Sequence, residues 1–114
     1  MKEKPQELYL RYLKSLDKLL LDLHLDVGER QLLNAIAIRV RDGENLTIGD
    51  ITQMKDLASP ATLHTRLKSL REKKMISFTL AEDGRKKYVL PSPAAYKYFD
   101  SVGRLIEKAM NTKN

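Results

Sequence analysis

The 114-residue sequence contains no cysteine, only two histidines and no long apolar run. The absence of cysteine excludes disulfides, thiolate metal sites and enzymes with a nucleophilic cysteine. No apolar stretch approaches the ~18 residues of a membrane-spanning helix, and the charges along MKEKPQELYLRYLKSL argue against a secretory signal. The length suits one domain with a buried core, and we expect a cytoplasmic protein.

Residues that could carry catalysis are also scarce. His24 stands in a leucine-rich helix and His64 on a polar face, and a lone histidine is more often structural than a ligand. No Gly-rich phosphate loop or Ser-His pattern occurs, and most carboxylates stand beside lysines and arginines. We therefore expect no enzymatic activity, no metal site and no cofactor.

The net charge of +6 is concentrated in one stretch. Residues 55–90 hold nine basic and four acidic side chains, whereas residues 1–42 hold eight and seven. Localised positive charge points to a polyanionic partner, and to nucleic acid before a membrane surface. A solvated basic surface without a partner is the alternative interpretation.

The first predicted helix covers residues 5–23, with Pro5 tolerated in its first turn. Three further leucines, Leu8, Leu13 and Leu20, widen its apolar stripe beyond what a small core requires. The helix is therefore predicted either to meet a partner or to be a plain core helix. The stripe itself follows a 3-4 spacing and consists of Tyr9, Tyr12, Leu16, Leu19 and Leu23.

Two capping-box patterns predict the next two helices. Asp26 with Glu29 starts a helix that is expected to lie in the centre of the domain and to end at Gly43. Thr47 with Asp50 opens a short helix over IGDITQMKDL.

Ser59 and Pro60 mark the clearest helix start, with a cap followed by proline at the first helical position. Leu63, Leu67 and Leu70 form the apolar stripe of this helix. A short turn joins it to the preceding helix, as in a helix-turn-helix.

After this helix the spacing of apolar residues changes from a helical period to alternation, with every second residue apolar. Ile76, Phe78 and Leu80 predict a half-buried strand, the Asp-Gly of AEDGRK predicts a turn, and KKYVL predicts the returning strand. Ser92 and Pro93 then start a last helix. Its predicted buried face is Tyr96, Phe99, Val102, Leu105 or Ile106, and Ala109.

The predicted fold is therefore α+β and mainly α. It is a winged helix-turn-helix over residues 47–90, flanked by N- and C-terminal helices, within a single domain of residues 1–114.

The helix that starts at Ser59 suits the major groove of DNA. The groove admits one helix, whose N-terminal residues contact the base edges. Ser59 and the free N–H groups of the first turn can hold a phosphate. Arg66 and Arg71 lie nearer the core edge, where a phosphate contact and an internal ion pair are both open. The candidates for the groove are Ala61, Thr62, His64, Thr65, Lys68 and Ser69. A merely solvent-exposed polar face is the competing interpretation.

The turn between the strands is basic. Arg85, Lys86 and Lys87 can enter the minor groove, where a narrow groove concentrates negative potential. Glu82 and Asp83 would repel phosphate if free, so Asp83 is interpreted as a turn former or as an ion-pair partner of an arginine.

Over residues 30 to 110 the sequence resembles the MarR-type family of winged-helix transcription regulators. SPATLHTRLKSLREKKMI corresponds to the recognition helix of that family and DGRKKYVL to its wing, with Asp83-x-Arg85 matching an Asp-x-Arg signature. The resemblance implies that Arg85 enters the minor groove, that Asp83 orients it, and that residues 1–25 and 93–114 form a dimer. Lys74 departs from the family, which often has glycine there. Because a left-handed cap costs a non-glycine residue ~1 kcal/mol, we expect a different helix end.

These observations predict a transcription regulator that binds double-stranded DNA sequence-specifically. A homodimer would place two recognition helices about 34 Å apart on a palindromic site. Such a protein is expected to be associated with the nucleoid. Specificity is assigned to Thr62, His64, Thr65 and Lys68, and the sequence does not specify an effector. The alternative is a winged-helix protein–protein interaction module, which Glu72 on the outer helix face favours.

Overall fold

The computed structural model describes residues 3–111. Its elements are α1 (Pro5–Leu23), α2 (Val27–Arg41), α3 (Ile48–Thr52), α4 (Pro60–Glu72), β1 (Ile76–Leu80), β2 (Lys87–Pro91) and α5 (Pro93–Asn111). This order confirms the predicted mainly helical winged helix-turn-helix. Within the described part, residues 26–96 form one compact unit, and residues 3–25 with 97–111 form another. None of the described helices combines the length and hydropathy that a bilayer crossing requires.

Both predicted capping boxes are present. The Glu29 N–H donates to Asp26 Oδ1 at 2.7 Å, and the Asp26 N–H donates to Glu29 Oε1 at 2.9 Å. Likewise, the Asp50 N–H donates to Thr47 Oγ1 at 3.1 Å, and the Thr47 N–H donates to Asp50 Oδ2 at 3.0 Å. Each box satisfies two backbone N–H groups that a helix start leaves without an intrahelical partner.

Helix α3 is shorter than predicted. It ends at Thr52, because the Gln53 N–H donates to the Asp50 carbonyl and the Met54 N–H to the Ile51 carbonyl, each three residues back. These tighter bonds close the helix, and residues 53–58 turn the chain towards α4. The predicted extension to residue 57 is therefore wrong.

The core of residues 26–96 lies where α2 meets α4 and β2. Helix α3 packs on α4 and β2, and α4 also packs on β1. The predicted leucine stripe of α4 points into this core. The largest fully buried side chains are Leu32, Leu33, Ile36, Ile51, Leu63, Leu70 and Val89.

The two strands form an antiparallel hairpin whose register runs from Ile76↔Pro91 to Leu80↔Lys87. Its base is joined by Leu46, whose carbonyl accepts the Val89 N–H at 2.7 Å. Burial falls along β1 towards the turn, and Leu80 is 61% exposed. The predicted burial of Leu80 is wrong because the hairpin has left the core at that point.

Helix α4 ends with a residue in the left-handed region, Lys74, at φ 61°. The Lys74 N–H donates to the Arg71 carbonyl and the Met75 N–H to the Leu70 carbonyl, which is the pattern of a Schellman motif. The Ser92 hydroxyl donates to the Lys74 carbonyl at 2.7 Å. The expectation of a different helix end is therefore wrong, since the neighbours of Lys74 hold the conformation that glycine would adopt freely.

The start of α5 is as predicted, because Ser92 Oγ accepts the Ala95 N–H at 3.1 Å. The predicted buried face is partly wrong. Tyr96 is exposed, whereas Ala95 and Tyr98 are buried. Of the alternatives Leu105 and Ile106, Leu105 is half-buried and Ile106 is exposed. A helical stripe can be displaced by one residue without changing its period, and sequence periodicity does not determine which flank meets the core.

In the unit of the terminal segments, Arg11 joins α1 to α5. Its Nη2 donates to the Ala109 carbonyl at 2.8 Å, and its guanidinium pairs with Glu3, which raises the pKa of Arg11. The outermost residues of the predicted dimerisation segments, 1–2 and 112–114, lie outside the described residues.

Candidate nucleic-acid interface

The outer face of α4 is polar and open to solvent. Because Leu63, Leu67 and Leu70 are buried on the opposite side, the helical period turns the intervening residues outward. Thr62 is half-buried at the margin of this face. The exposed members predicted for the groove are Ser59, Ala61, His64, Thr65 and Lys68.

The hydroxyl groups at the start of α4 are partly committed to local bonds. Ser59 Oγ accepts the Thr62 N–H at 3.2 Å and donates to Thr62 Oγ1 at 2.9 Å. Thr65 Oγ1 donates to the Ala61 carbonyl at 3.1 Å. A hydroxyl has one donor and two acceptor positions, so Thr62 retains its donor and Thr65 retains an acceptor for a partner.

Two of the predicted DNA-binding residues, Ser69 and Arg66, face α2. Ser69 donates its hydroxyl to Glu29 Oε2, and the Arg66 guanidinium lies against Gly28. For Ser69 this placement differs from the predicted outward orientation, whereas Arg66 lies near the core edge, where the sequence placed it.

Glu29 is the buried centre of this contact, at 2% exposure. Lys73 Nζ donates to Glu29 Oε1 at 2.7 Å, on the same oxygen that accepts the Asp26 N–H. Burial acts to raise the pKa of Glu29, but the hydrogen bonds from Asp26, Lys73 and Ser69 and the charge of Lys73 outweigh it, so the pKa is lowered. Glu29 is therefore held as a carboxylate between the start of α2 and the end of α4.

Arg71 stacks on the base of the wing. Its guanidinium carbon lies 5.1 Å from the centre of the Phe78 ring, and its side chain is exposed. Of the two roles that the sequence left open, the structure shows no internal ion pair for Arg71 among the described residues. A cation–π contact thus fixes a positive charge between α4 and the hairpin.

A groove of about 330 Å³ lies beside Arg71, between α3, α4 and β1. Its lining combines the apolar side chains of Leu67 and Ile76 with the polar side chains of Lys68 and Arg71. The groove is lined by Ile48, His64, Leu67, Lys68, Arg71, Ile76 and Phe78. The sequence placed Arg71 near the core edge with a phosphate contact open, but it did not predict the contact with Phe78, which lies in the next element.

The residues of the wing tip, from Glu82 to Lys87, are all exposed. Gly84 takes the left-handed conformation at φ 73°, and its N–H donates to the Ala81 carbonyl at 2.9 Å. Asp83 Oδ1 accepts the Arg85 N–H at 2.9 Å. Asp83 is therefore the turn former of the two roles considered, and it shapes the tip that presents Arg85, Lys86 and Lys87.

The residues predicted for dimerisation differ in exposure. Tyr9 is 58% exposed and Leu16 is 9% exposed, whereas Tyr12, Leu19 and Leu23 are half-buried. The terminal unit also has an apolar groove of about 330 Å³ between α1 and α5. Its lining includes two exposed residues of α5, Ile106 and Met110, which lie in the predicted dimerisation segment 93–114 but were not among the five residues singled out for it. The groove is lined by Pro5, Leu8, Tyr9, Tyr12, Ile106, Ala109 and Met110.

No protein-family model and no curated protein sequence matches this chain. Solved structures do match it. The DNA complex of S. aureus MepR is 18% identical, covers 92% of this chain and 78% of its own, and has a TM-score of 0.68. A MarR-family transcriptional regulator from Silicibacter pomeroyi is 19% identical over 92% of this chain and 68% of its own, at a TM-score of 0.52. Another MarR-family regulator, from Rhodococcus sp. RHA1, is 16% identical, covers 92% of this chain and 71% of its own, and has a TM-score of 0.54.

These likenesses cover nearly the whole chain, and the fold they share includes both the helix-turn-helix and the hairpin. The resemblance inferred from the recognition-helix and wing segments is confirmed at the level of the fold. The chain has the winged-helix fold of the MarR-family transcriptional regulators.

Proposed function

We propose that this protein binds double-stranded DNA sequence-specifically and regulates transcription as a dimer on a palindromic site. The observation that carries the proposal is the outer face of α4. It is polar and solvent-exposed, starts at a capped helix N-terminus and is continuous in sequence with a basic hairpin. A protein with this function acts on the chromosome, in the cytoplasm.

Residues in the first three turns of α4 read the bases. His64 and Lys68 stand one turn apart on the exposed face, with Thr65 beside them. Lys68 can donate to the O6 and N7 acceptors of guanine, and Thr65 can accept from an exocyclic amine. Thr62 has its donor free for a phosphate or a base edge, because Ser59 occupies only one acceptor position of its hydroxyl.

The basic side chains around this face provide most of the affinity. Residues 55–90 carry nine basic and four acidic side chains. Arg71 is held at the base of the wing, and the wing tip presents Arg85 towards a minor groove and Lys86 and Lys87 towards its phosphates. Binding of this kind releases counterions, so affinity should fall steeply as salt rises.

The neighbours support this function by analogy of fold. One of them was solved with its DNA, and its fold matches this chain over 92% of the length. The apolar groove of α1 and α5 offers a contact surface for a second copy. A dimer bound to a palindromic site would place its two α4 helices in successive major grooves, about 34 Å apart.

The experiment is selection of bound sequences from a random duplex pool, followed by binding measurements with a Lys68→Ala, Arg85→Ala double variant. Both side chains are exposed, so the variant should keep the circular dichroism spectrum and the oligomeric state of the wild type. It should lose duplex binding at moderate salt. A wild type that enriches no sequence, or a double variant that binds as the wild type does, overturns the proposal.

A protein–protein interaction module is the second candidate, and Glu72 is the observation that favours it. Glu72 is exposed at the end of α4, where a carboxylate would repel a phosphate. The duplex selection decides between the two, since an interaction module has no reason to enrich a DNA sequence.

A further inference from the structure

Gly28 lies in the first turn of α2, and its backbone does not require glycine. Its φ lies outside the left-handed region, and glycine is less favourable than alanine inside a helix. What the position requires is space. A Cβ at Gly28 would lie 2.4 Å from Arg66 Nε and 2.5 Å from Arg66 Cζ. The Arg66 guanidinium therefore occupies the space that a side chain at position 28 would fill.

The next residue, Glu29, contacts α4 closer to the C-terminal end of that helix. Its carboxylate is buried and accepts the Ser69 hydroxyl on one oxygen and the Lys73 ammonium, at 2.7 Å, on the other. The Asp26 N–H fixes the carboxylate within the capping box of α2. Glu29 therefore cannot follow α4 if that helix turns or slides.

The three contacts on α4 stand on one edge of the helix. Arg66, Ser69 and Lys73 are related by i, i+3 and i+7, the spacing of neighbours on a helix surface. The edge runs beside the buried leucine stripe. The hydrogen bonds of Ser69 and Lys73 require defined distances and angles, so they add a directional restraint to the non-directional burial of the leucines.

We propose that Gly28 and Glu29 are positioning residues that set the rotation of α4 about its axis and so aim its outer face at the DNA bases. This inference rests on the proposed function. A helix with its side chains has a radius of about 5–6 Å, so a rotation of about 10° moves an outer side-chain tip by about 1 Å. That displacement exceeds the roughly 0.5 Å range of hydrogen-bond lengths.

The consequence separates specific from non-specific binding. Base-edge contacts fail when α4 turns, because the bases are fixed in the groove. Phosphate contacts from long, flexible lysines and from the wing adapt to the same displacement. Loss of the positioning contacts should therefore weaken binding to the preferred sequence alone.

The experiment uses the full chain, a duplex selected by the wild type from a random pool, and a duplex of scrambled sequence. Two variants test the two residues. Gly28→Ala displaces the flexible end of Arg66 and places a better helix former in α2, so the protein stays folded. Ser69→Ala removes one bond to Glu29, and Ser69→Thr is the matched variant that restores a hydroxyl.

We expect Gly28→Ala and Ser69→Ala to bind the selected duplex about tenfold more weakly, the equivalent of one base contact. Their affinity for the scrambled duplex and the dependence of affinity on salt should equal those of the wild type. Ser69→Thr should recover most of the loss.

Three results overturn the inference. Variants that bind both duplexes as the wild type does, with only a lower unfolding midpoint, assign a structural role to these residues and leave the proposed function standing. Equal losses on both duplexes with a weaker salt dependence assign Arg66 to a phosphate. A wild type that selects no duplex overturns the proposed function, and the positioning role with it.

Discussion

The carboxylate of Glu29, in the first turn of α2, accepts a hydrogen bond of 2.7 Å from the ammonium of Lys73, at the end of α4. The two partners differ in exposure, since Glu29 is buried whereas Lys73 remains in contact with water. Removing the cation would leave a buried charge with fewer partners, which is the more costly way to break such a pair. The pair therefore makes the stability of the fold depend on a residue at its surface.

Lys73→Met should lower the free energy of unfolding by ~1.5–3 kcal/mol, the range for a hydrogen bond to a charged group. The measurement is urea unfolding at neutral pH. Lys68→Met is the matched control, because it removes the same charge from an exposed position of α4 and should change stability by less than about 0.5 kcal/mol. Equal effects of the two substitutions would contradict a specific role for the pair.

Stability should also depend on pH through Glu29. The pKa of Glu29 is lowered in the folded state from an ordinary value of 4.5, so its contribution is present above pH 4.5 and is lost as pH falls through the folded-state pKa. The difference in unfolding free energy between the wild type and Glu29→Gln should therefore be largest above pH 4.5 and shrink below it. Asp50 also has a lowered pKa, through its bond from the Thr47 N–H, but it is present in both proteins and cancels. A difference that does not vary with pH would disprove the assignment.

Lys74→Gly should raise the free energy of unfolding by ~1 kcal/mol, because glycine adopts φ 61° without the cost borne by a side chain. Lys74 is exposed, so little packing is lost. Gly43→Ala is the opposite control. Gly43 ends α2 in the same kind of motif at φ 94°, nothing lies within 4 Å of its missing Cβ, and alanine there should destabilise by ~1 kcal/mol. Thermal or urea unfolding measures both, and a neutral Lys74→Gly would show that the strain is relieved elsewhere.

The sequence predicted the features that depend on near neighbours. Ser59 with Pro60, and Asp26 with Glu29, are signals contained within four residues, and each starts a helix where expected. The orientation of Ser69 depends instead on a carboxylate 40 residues away in the sequence, which no local pattern indicates. Ser69 lies at the border between the leucine stripe and the outer face, where periodicity permits either direction.

The remaining differences have the same origin. Leu80 follows the strand alternation correctly but lies beyond the end of the core. Lys74 was expected to avoid the left-handed region, and there tertiary contacts outweigh local preference. The buried neighbours Leu70 and Met75 and the Ser92 hydroxyl hold it in place. Local preferences of about 1 kcal/mol are overridden when several buried contacts agree.

Two single substitutions should separate base readout from phosphate contact. His64→Ala should relax sequence preference at one base position, at a cost of ~1–3 kcal/mol on the selected duplex only. Lys87→Ala, at the exposed wing tip, should weaken binding to every duplex and reduce the slope of log K against log salt by about 1. Titrations of both variants on selected and scrambled duplexes over a range of salt give the two quantities. If His64→Ala weakened both duplexes equally, His64 would be a backbone contact.

The apolar groove between α1 and α5 predicts where two copies of the chain meet. Tyr9 and Met110 line it and are 58% and 70% exposed, whereas Leu16 is already buried in a single copy and is a poor choice for mutation. A Tyr9→Glu, Met110→Glu variant should weaken dimerisation by at least about tenfold, because it places charges in an apolar contact. Sedimentation over a range of concentrations measures this, with Lys14→Glu as the control, since Lys14 is exposed about 140° around α1 from Tyr9. A wild type that sediments as a monomer at all concentrations would overturn the dimer, and a variant that dimerises like the wild type would place the contact elsewhere.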